Sequence, residues 1–323
     1  MTAAETDNTA VVDSINPGNP PGTMTLSVII PASGRQDLLV RCLVSLKKII
    51  DGDPPCEICV VDDGSGLDQD AVRMQIAAGH SFIWRSFDTP RGRAAARNKG
   101  IRSTSGDIVV FLDSDMEVRE GFLRAHFDIH RRHPHTAAVG LIEWPRGGGF
   151  RRYIGSRGVK KLSPGDTVPP WYFVTGNASV ERCDLPSGKP FDETLAGWGG
   201  EDLELGLTLK SQGVDFRFVP EAVSYHNFTG DLIGHVERTY RYGEGALPIL
   251  IDRHPELENV LRLDLLRSPF WRAAVNPLFA ASALAAGRIF GRLPLPDFLY
   301  DYLTFSAYAR GFLAAGMKKN PGK

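Results

Sequence analysis

CEICVVDDGS, residues Cys56 to Ser65, decides how the chain is read. Its core is a short apolar run rich in β-branched residues. It ends abruptly in two acids and a Gly-Ser turn. A run of this length bounded by turn residues is a buried strand. The acids then sit just past the strand's C-terminal end. The same segment offers a C-x-x-C pair, Cys56 and Cys59. Residues three apart on a strand point to opposite faces, so the pair makes a poor metal or redox site.

Working outward, the pattern repeats. LSVIIP from Leu26 is another apolar strand, followed by helical periodicity over 37–50. Residues 68–78 read as a helix, FIWR (82–85) as a third strand, and 92–103 as an Ala-rich helix. DIVVFLD (107–113) is a fourth strand, and 118–133 a further helix. Strands alternating with helices predict an α/β fold: a mostly parallel central sheet with helices on both faces. Polar residues cluster after the strand ends, at 33–35, 62–65 and 113–115. In open α/β sheets that edge binds ligands.

After Leu141 the alternation stops. Residues 145–166 carry six Arg or Lys against one acid, with several glycines, and read as a basic loop. WYFVTGNASV (171–180) resumes strand character. GEDLELGLTLKSQG (200–213) is a helix closed by Gly213, DFRFVP (215–220) a short strand, and 231–254 a helix. The expected organisation is a disordered lead-in over 1–23, one domain over 24–255 divided into halves at 141/142, and a helical tail over 256–323. The lead-in has no basic start and no apolar core, so it does not read as a signal peptide.

The 323 residues carry 37 basic and 38 acidic side chains, a formal charge of −1, which argues against nucleic acid as a partner. Four cysteines make no disulfide scaffold and fit a reducing, cytoplasmic compartment. The tail is different: nine Arg or Lys against five acids, with many Ala, Leu and Phe. Its longest charge-free run, 273–287, is interrupted by Pro277 and falls short of the roughly 20 apolar residues of a spanning helix. Two readings stand side by side. The tail lies peripherally on the inner face of an anionic plasma membrane, or it packs on the domain or on a second subunit of a homo-oligomer.

Three constellations carry chemistry. Asp113 and Asp115, two apart after a strand, leave it on the same side and present hard oxygens suited to Mn²⁺ or Mg²⁺. Asp62 and Asp63 can accept hydrogen bonds from a nucleobase or ribose. Arg93, Arg97 and Lys99 enter a helix through a glycine beside these acids and suit an anion. Each feature alone is ordinary turn or surface chemistry. G-x-G-x-x-G is missing after the first strand, and G-x-x-x-x-G-K-[ST] is missing throughout. This excludes the usual dinucleotide and P-loop readings.

Taken in order, SVIIPASGR, VVDDGS, GRAAARNKG, FLDSD, VTGNASV and GWGGED resemble the family-two inverting glycosyltransferases of the A-type, Rossmann-like fold, over about Leu26 to His254. The resemblance implies a donor nucleotide-diphospho-sugar, usually of UDP, a divalent metal, and a glycan or lipid-linked acceptor in bacterial glycan or polysaccharide synthesis. It implies that Asp63, with Asp62 close by, contacts the base, which Pro31 and Ala32 line. Arg93 and Arg97 lie near the donor. Asp115 binds metal, Asp113 binds metal through water or else ribose, and His226 completes the set. Asp202 is the general base, Glu201 holds sugar hydroxyls, and Trp198 offers a face to a sugar ring. GWGGED also looks like a stretch of β-1,4-galactosyltransferases, which favours galactose-type donors. Two alternatives remain: a sugar-nucleotide nucleotidyltransferase, which lacks its glycine-rich loop here, and an inactive nucleotide-sugar or glycan-binding module.

Overall fold

The computed structural model describes residues 24–50, 54–74, 81–145, 147–163, 166–195, 199–227, 230–279 and 295–319. The lead-in, Trp198 and most of the charge-free run 273–287 lie outside the described residues. The strands are β1 (Leu26–Ala32), β2 (Cys56–Asp62), β3 (Ser81–Ser86), β4 (Ile108–Leu112), β5 (Met116–Val118), β6 (Thr136–Glu143), β7 (Asn177–Glu181) and β8 (Asp215–His226). They form one eight-stranded sheet in the order β3-β2-β1-β4-β7-β6-β8-β5. Strands β3, β2, β1 and β4 are mutually parallel, and so are β6 and β8; β7 and β5 run against their neighbours.

The apolar runs are explained by burial on both faces. On β1, Leu26, Val28 and Ile30 enter one core and Ile29 the other. The first core is covered by α1 (Gln36–Ile50) and α4 (Phe122–Arg132), through Leu39, Leu43, Phe122 and Leu123. The second is covered by α3 (Arg93–Arg102) and α6 (Glu201–Ser211), through Ala96, Ile101, Leu205 and Leu209. A short α2 (Gln69–Arg73) follows β2, and Cys56 and Cys59 are not joined in a disulfide.

Several sequence expectations are corrected. The helix predicted from Val118 starts at Phe122, because Met116–Val118 pair with β8. Strand β6 comes from TAAVGLIE, a run too rich in Ala and Gly for the periodicity reading to assign. Strand β8 is twice the predicted length; Pro220 sits within it, and the register shifts opposite Gly140/Leu141. The basic segment holds a short α5 (Gly149–Gly155) and a 3₁₀ turn over Gly158–Lys161. The single helix expected over 231–254 is two, α7 (Leu232–Glu244) and α8 (Ala246–Arg253), separated at Gly245.

Short helices α9 (Leu257–Val260) and α10 (Pro269–Ala274) lead to α11 (Asp297–Lys319). The tail packs on the domain. Val236 of α7 is buried with Leu303 and Ala307 of α11. The two helices meet at glycines: a Cβ on Gly243 would come 2.2 Å from the Tyr308 carbonyl oxygen, and one on Gly311 2.2 Å from that of Tyr240. The basic segment is tied to the same helix, since Arg152 pairs with Asp297 (3.3 Å) and Arg157 with Asp301 (2.9 Å). No helix among the described residues is long and apolar enough to cross a membrane.

A buried polar chain crosses the core between α4 and the sheet. His126 Nε2 lies 3.0 Å from Asn177 Oδ1 and His126 Nδ1 2.8 Å from Ser179 Oγ, while His130 Nε2 lies 2.7 Å from the same Ser179 oxygen. Burial lowers both imidazoles, His126 to about 4 and His130 to about 3, so both rings are neutral.

Candidate active site

The polar strand ends meet where the sequence places them, and a cavity of about 410 Å³ opens there. That is room for a nucleotide-sized ligand. Pro31, Ala32, Asp63, Arg93, Asp113 and Asp115 all line it.

The two acids of the DDGS turn have different fates. Asp62 is consumed by its own turn: Oδ1 accepts from the Ser65 N–H and hydroxyl, and Oδ2 from Leu67 N–H at 3.1 Å. It is buried and does not line the cavity, which corrects its expected place as a donor contact. Asp63 lines the cavity and accepts from the N–H groups of Arg91 (2.7 Å) and Gly92 (2.9 Å). It thereby pins the entry to α3, the helix that carries Arg93 and Arg97.

Arg97 is not a cavity residue. Its side chain is 1% exposed and grips three carboxylates. Nη2 donates to Asp113 Oδ1 (2.9 Å), and Nη1 donates to Glu201 Oε1 (3.1 Å) and Asp202 Oδ1 (3.3 Å). Burial alone lowers its pKa, but Asp202, Asp113 and Glu201 outweigh burial and raise it. Arg97 thus lies behind the cavity wall as the buried countercharge of the acids, one of which, Asp113, lines the cavity. Arg93 remains at the cavity, half-exposed, with Nη2 3.1 Å from Glu201 Oε1.

Glu201 and Asp202 open α6, where the helix dipole favours negative charge. The turn into α6 needs glycine: Gly200 has φ +102°, and a Cβ there would come 2.9 Å from Ala246 Cβ. Glu201 is 4% exposed and anchors Arg93 and Arg97. The Asp202 side chain is 23% exposed. It accepts from the Thr175 hydroxyl (2.7 Å) and N–H (3.2 Å) as well as from Arg97. Burial, and then Glu201, hold its carboxyl above the usual aspartate range against the pull of Arg97.

Asp115 and His226 meet because β5 pairs with β8. Met116 lies opposite His226, and Asn227 N–H donates to the Asp115 carbonyl at 2.8 Å. Asp115 Oδ2 is 3.6 Å from His226 Nε2. Asp115 Oδ1 is buried with no hydrogen-bond partner among the described residues. Burial, and beyond it Asp113, raise the Asp115 carboxyl above its usual range although His226 opposes this. Two carboxylates at the cavity, one with an unspent buried oxygen and an imidazole beside it, fit Mn²⁺ or Mg²⁺.

Two contributors escaped the sequence reading. Thr175 holds Asp202, and its signal was the VTGNASV motif that contains it. Trp144 stacks on His226, with ring centroids 4.5 Å apart and planes 13° apart. Nothing local in the sequence marked it.

Known proteins resemble the chain in sequence and in fold. The model of glycosyl transferase family 2 matches residues 27–181, and that of glycosyl transferase family group 2 matches residues 108–315. The chain is 29% identical over 300 residues to a validoxylamine A glucosyltransferase of Streptomyces hygroscopicus subsp. limoneus, covering 82% of this chain and 63% of the relative. It is 26% identical over 255 residues to the uncharacterized glycosyltransferase YfnE of Bacillus subtilis, covering 63% and 64%. The chain thus spans under two thirds of the length of these curated relatives. In fold it is similar to a mannosyltransferase of Pyrobaculum calidifontis solved with GDP-Man and Mn²⁺. The TM-score is 0.62 and the identity 19%, over 91% of this chain and 87% of that one.

Proposed function

The chain belongs to glycosyl transferase family 2 and is a glycosyltransferase, and from that premise we propose that it moves a sugar from a nucleotide-diphospho-sugar, favouring UDP, to an acceptor hydroxyl with inversion. The observation that carries this reading is one cavity lined together by Asp63, Arg93, Asp113 and Asp115. Hydrogen-bond acceptors for a nucleoside and charged groups for a diphosphate thus share one site. Asp202 is the candidate base beside it.

In this reading Asp63, Pro31 and Ala32 receive the nucleoside. Asp113, Asp115 and His226 would hold Mn²⁺ or Mg²⁺, which when bound supplies positive charge for the leaving diphosphate. Arg93 adds a cation at the same place. Asp202, fixed by Thr175 and Arg97, takes the proton of the acceptor hydroxyl as that oxygen bonds to the anomeric carbon. The bond from that carbon to the diphosphate oxygen breaks in the same step, and the electron pair leaves with the diphosphate. Attack from the opposite face inverts the carbon. Fixing both reactants in one site supplies the orientation.

The acceptor is a proposal of class only. Relatives include one named for validoxylamine A and one for pre-mycofactocin, so a small hydroxylated molecule stands beside a growing glycan as acceptor. The test is nucleoside diphosphate release from a panel of nucleotide sugars with Mn²⁺. A transferase releases it slowly by hydrolysis and faster with acceptor. A nucleotidyltransferase instead exchanges pyrophosphate. A binding module does neither.

A further inference from the structure

A second group of ligating side chains lies at the other end of the sheet. Strand β4 starts opposite Glu181 and ends opposite Asn177, beside the catalytic acids. Glu181 is thus about 13 Å from that edge at the spacing of strand residues. His135 leads into β6, and Cys183 and Asp184 lie in the 3₁₀ turn that follows β7. One ligand atom from each of His135, Glu181, Cys183 and Asp184 lies within 4.8 Å of the others. His135 sits at φ +57°, a left-handed backbone unusual for a side-chain-bearing residue. There its N–H donates to Glu181 Oε1 (2.9 Å) and its Nδ1 lies 2.7 Å from Asp184 Oδ1.

An independent observation points at this cluster from inside. Asn177 Nδ2 donates to the Ala222 carbonyl and Ser224 Oγ, so Asn177 Oδ1 is an acceptor and takes the Nε2–H of His126. The neutral His126 ring then has a bare Nδ1, which accepts the Ser179 hydroxyl proton. Ser179 Oγ, its hydrogen spent, accepts Nε2–H from His130. His130 Nδ1 is fully buried and has no hydrogen-bond partner among the described residues. That nitrogen faces Glu181 Oε1 at 3.7 Å. Asp184 repeats the pattern: its side chain is 8% exposed, and Oδ2 is buried with no partner among the described residues. Two buried polar atoms at the cluster thus lack a hydrogen-bond partner among the described residues, while the His135 N–H and the Cys183 thiol donate to other oxygens of the Glu181 and Asp184 carboxylates.

We propose that His135, Glu181, Cys183 and Asp184 form a divalent transition-metal site, suited to Zn²⁺, at the edge of the sheet opposite the active site. The donor set decides the metal class. Imidazole nitrogen, thiolate and carboxylate together suit Zn²⁺, whereas Mg²⁺ and Ca²⁺ prefer oxygen alone. Bond lengths of about 2.0–2.3 Å in a tetrahedral site put ligand atoms roughly 3.3–3.7 Å apart, a small contraction from the present spread. On binding, the Cys183 thiol loses its proton to solvent and the sulfur bonds to the metal. His135 and Cys183 are exposed, which leaves an entry path. The metal would clamp the start of β6 to the end of β7, across an antiparallel pairing that joins the two parts of the sheet.

The test uses the whole chain stripped with chelator and then dialysed against Zn²⁺ or Co²⁺. Wild type should bind one Zn²⁺ that survives Asp115→Asn, should melt at higher temperature with Zn²⁺, and should show a thiolate-to-Co²⁺ charge-transfer band. Cys183→Ser should abolish the band, and His135→Ala should lose that one equivalent while both metal-free variants melt as wild type does. Zn²⁺ binding lost with Asp115→Asn and kept in Cys183→Ser would overturn the proposal. So would the absence of a cobalt–thiolate band together with a melting temperature indifferent to Zn²⁺.

Discussion

Arg97→Met gives the sharpest test of how the site is assembled. The guanidinium is buried and faces three carboxylates at 2.9–3.3 Å. Methionine fills much of the same volume and removes the charge. Three acids are then left converging without their buried cation. Removing one partner of a buried ion pair costs about 3–5 kcal/mol. The sign of the pH dependence separates this from simple packing loss. Asp202 already has a raised pKa, and Arg97 is what restrains it. Without Arg97 it rises further. A carboxyl whose folded pKa lies above its unfolded value contributes stability that is fully present below the unfolded value. That stability is lost as pH climbs through the folded one. The variant's deficit against wild type should therefore be smallest near pH 4 and largest near pH 8. Urea unfolding at several pH values measures it, with Arg97→Lys expected to fall between, because a compact ammonium cannot bridge both sides as the planar fork does. A deficit under about 1 kcal/mol at pH 8, or one equal at all pH values, would refute the idea that Arg97 gathers the acids.

Other outcomes follow from the same geometry. Asp202→Asn should lower kcat by roughly 10²–10⁴ with nucleotide binding intact, and in wild type the acid limb of kcat should lie above an ordinary aspartate pKa because that carboxyl is raised. Asp115→Ala should lose metal-dependent nucleotide binding by calorimetry, and EDTA should abolish turnover until Mn²⁺ is restored. Gly311→Ala should destabilise the fold by about 1–3 kcal/mol, read by thermal melting, since its methyl would press on the Tyr240 carbonyl where α11 crosses α7. Phe270, Leu278 and Phe279 are exposed beside Arg272. If they meet an anionic surface, replacing the three with Ser should reduce flotation with anionic vesicles and leave the melting temperature unchanged.

The parallel half of the sheet was legible because its strands are buried on both faces and therefore read as unbroken apolar runs. Strands β5 and β6 were not. Strand β5 is three residues long, and β6 is mostly small residues whose burial comes from neighbours distant in sequence. The tail's packing on α7 depends on Gly243 and Gly311, which no periodicity exposes. At the site, residue types were read well and orientations less so. Asp63, Arg93, Asp113 and Asp115 line the cavity, whereas Asp62, Arg97 and Glu201 turn inward. Whether a turn acid faces a ligand or its own backbone depends on hydrogen-bond partners that a linear motif does not name.

The paired acids at the start of α6 show why that distinction matters. Glu201 and Asp202 are adjacent, and adjacent residues on a helix do not share a face. One is therefore buried more deeply than the other. Glu201 is the inward one: buried, it fixes Arg93 and Arg97. Asp202 keeps partial exposure while Thr175 and Arg97 hold its two oxygens. Repulsion between the acids, which looks wasteful in the sequence, is answered by one buried guanidinium and used by the site. Burial, and with it this repulsion, raises the Asp202 carboxyl, and a raised carboxyl is the better proton acceptor once ionised. A lone aspartate at this helix start would be held at lower pKa by the helix dipole and would be the weaker base.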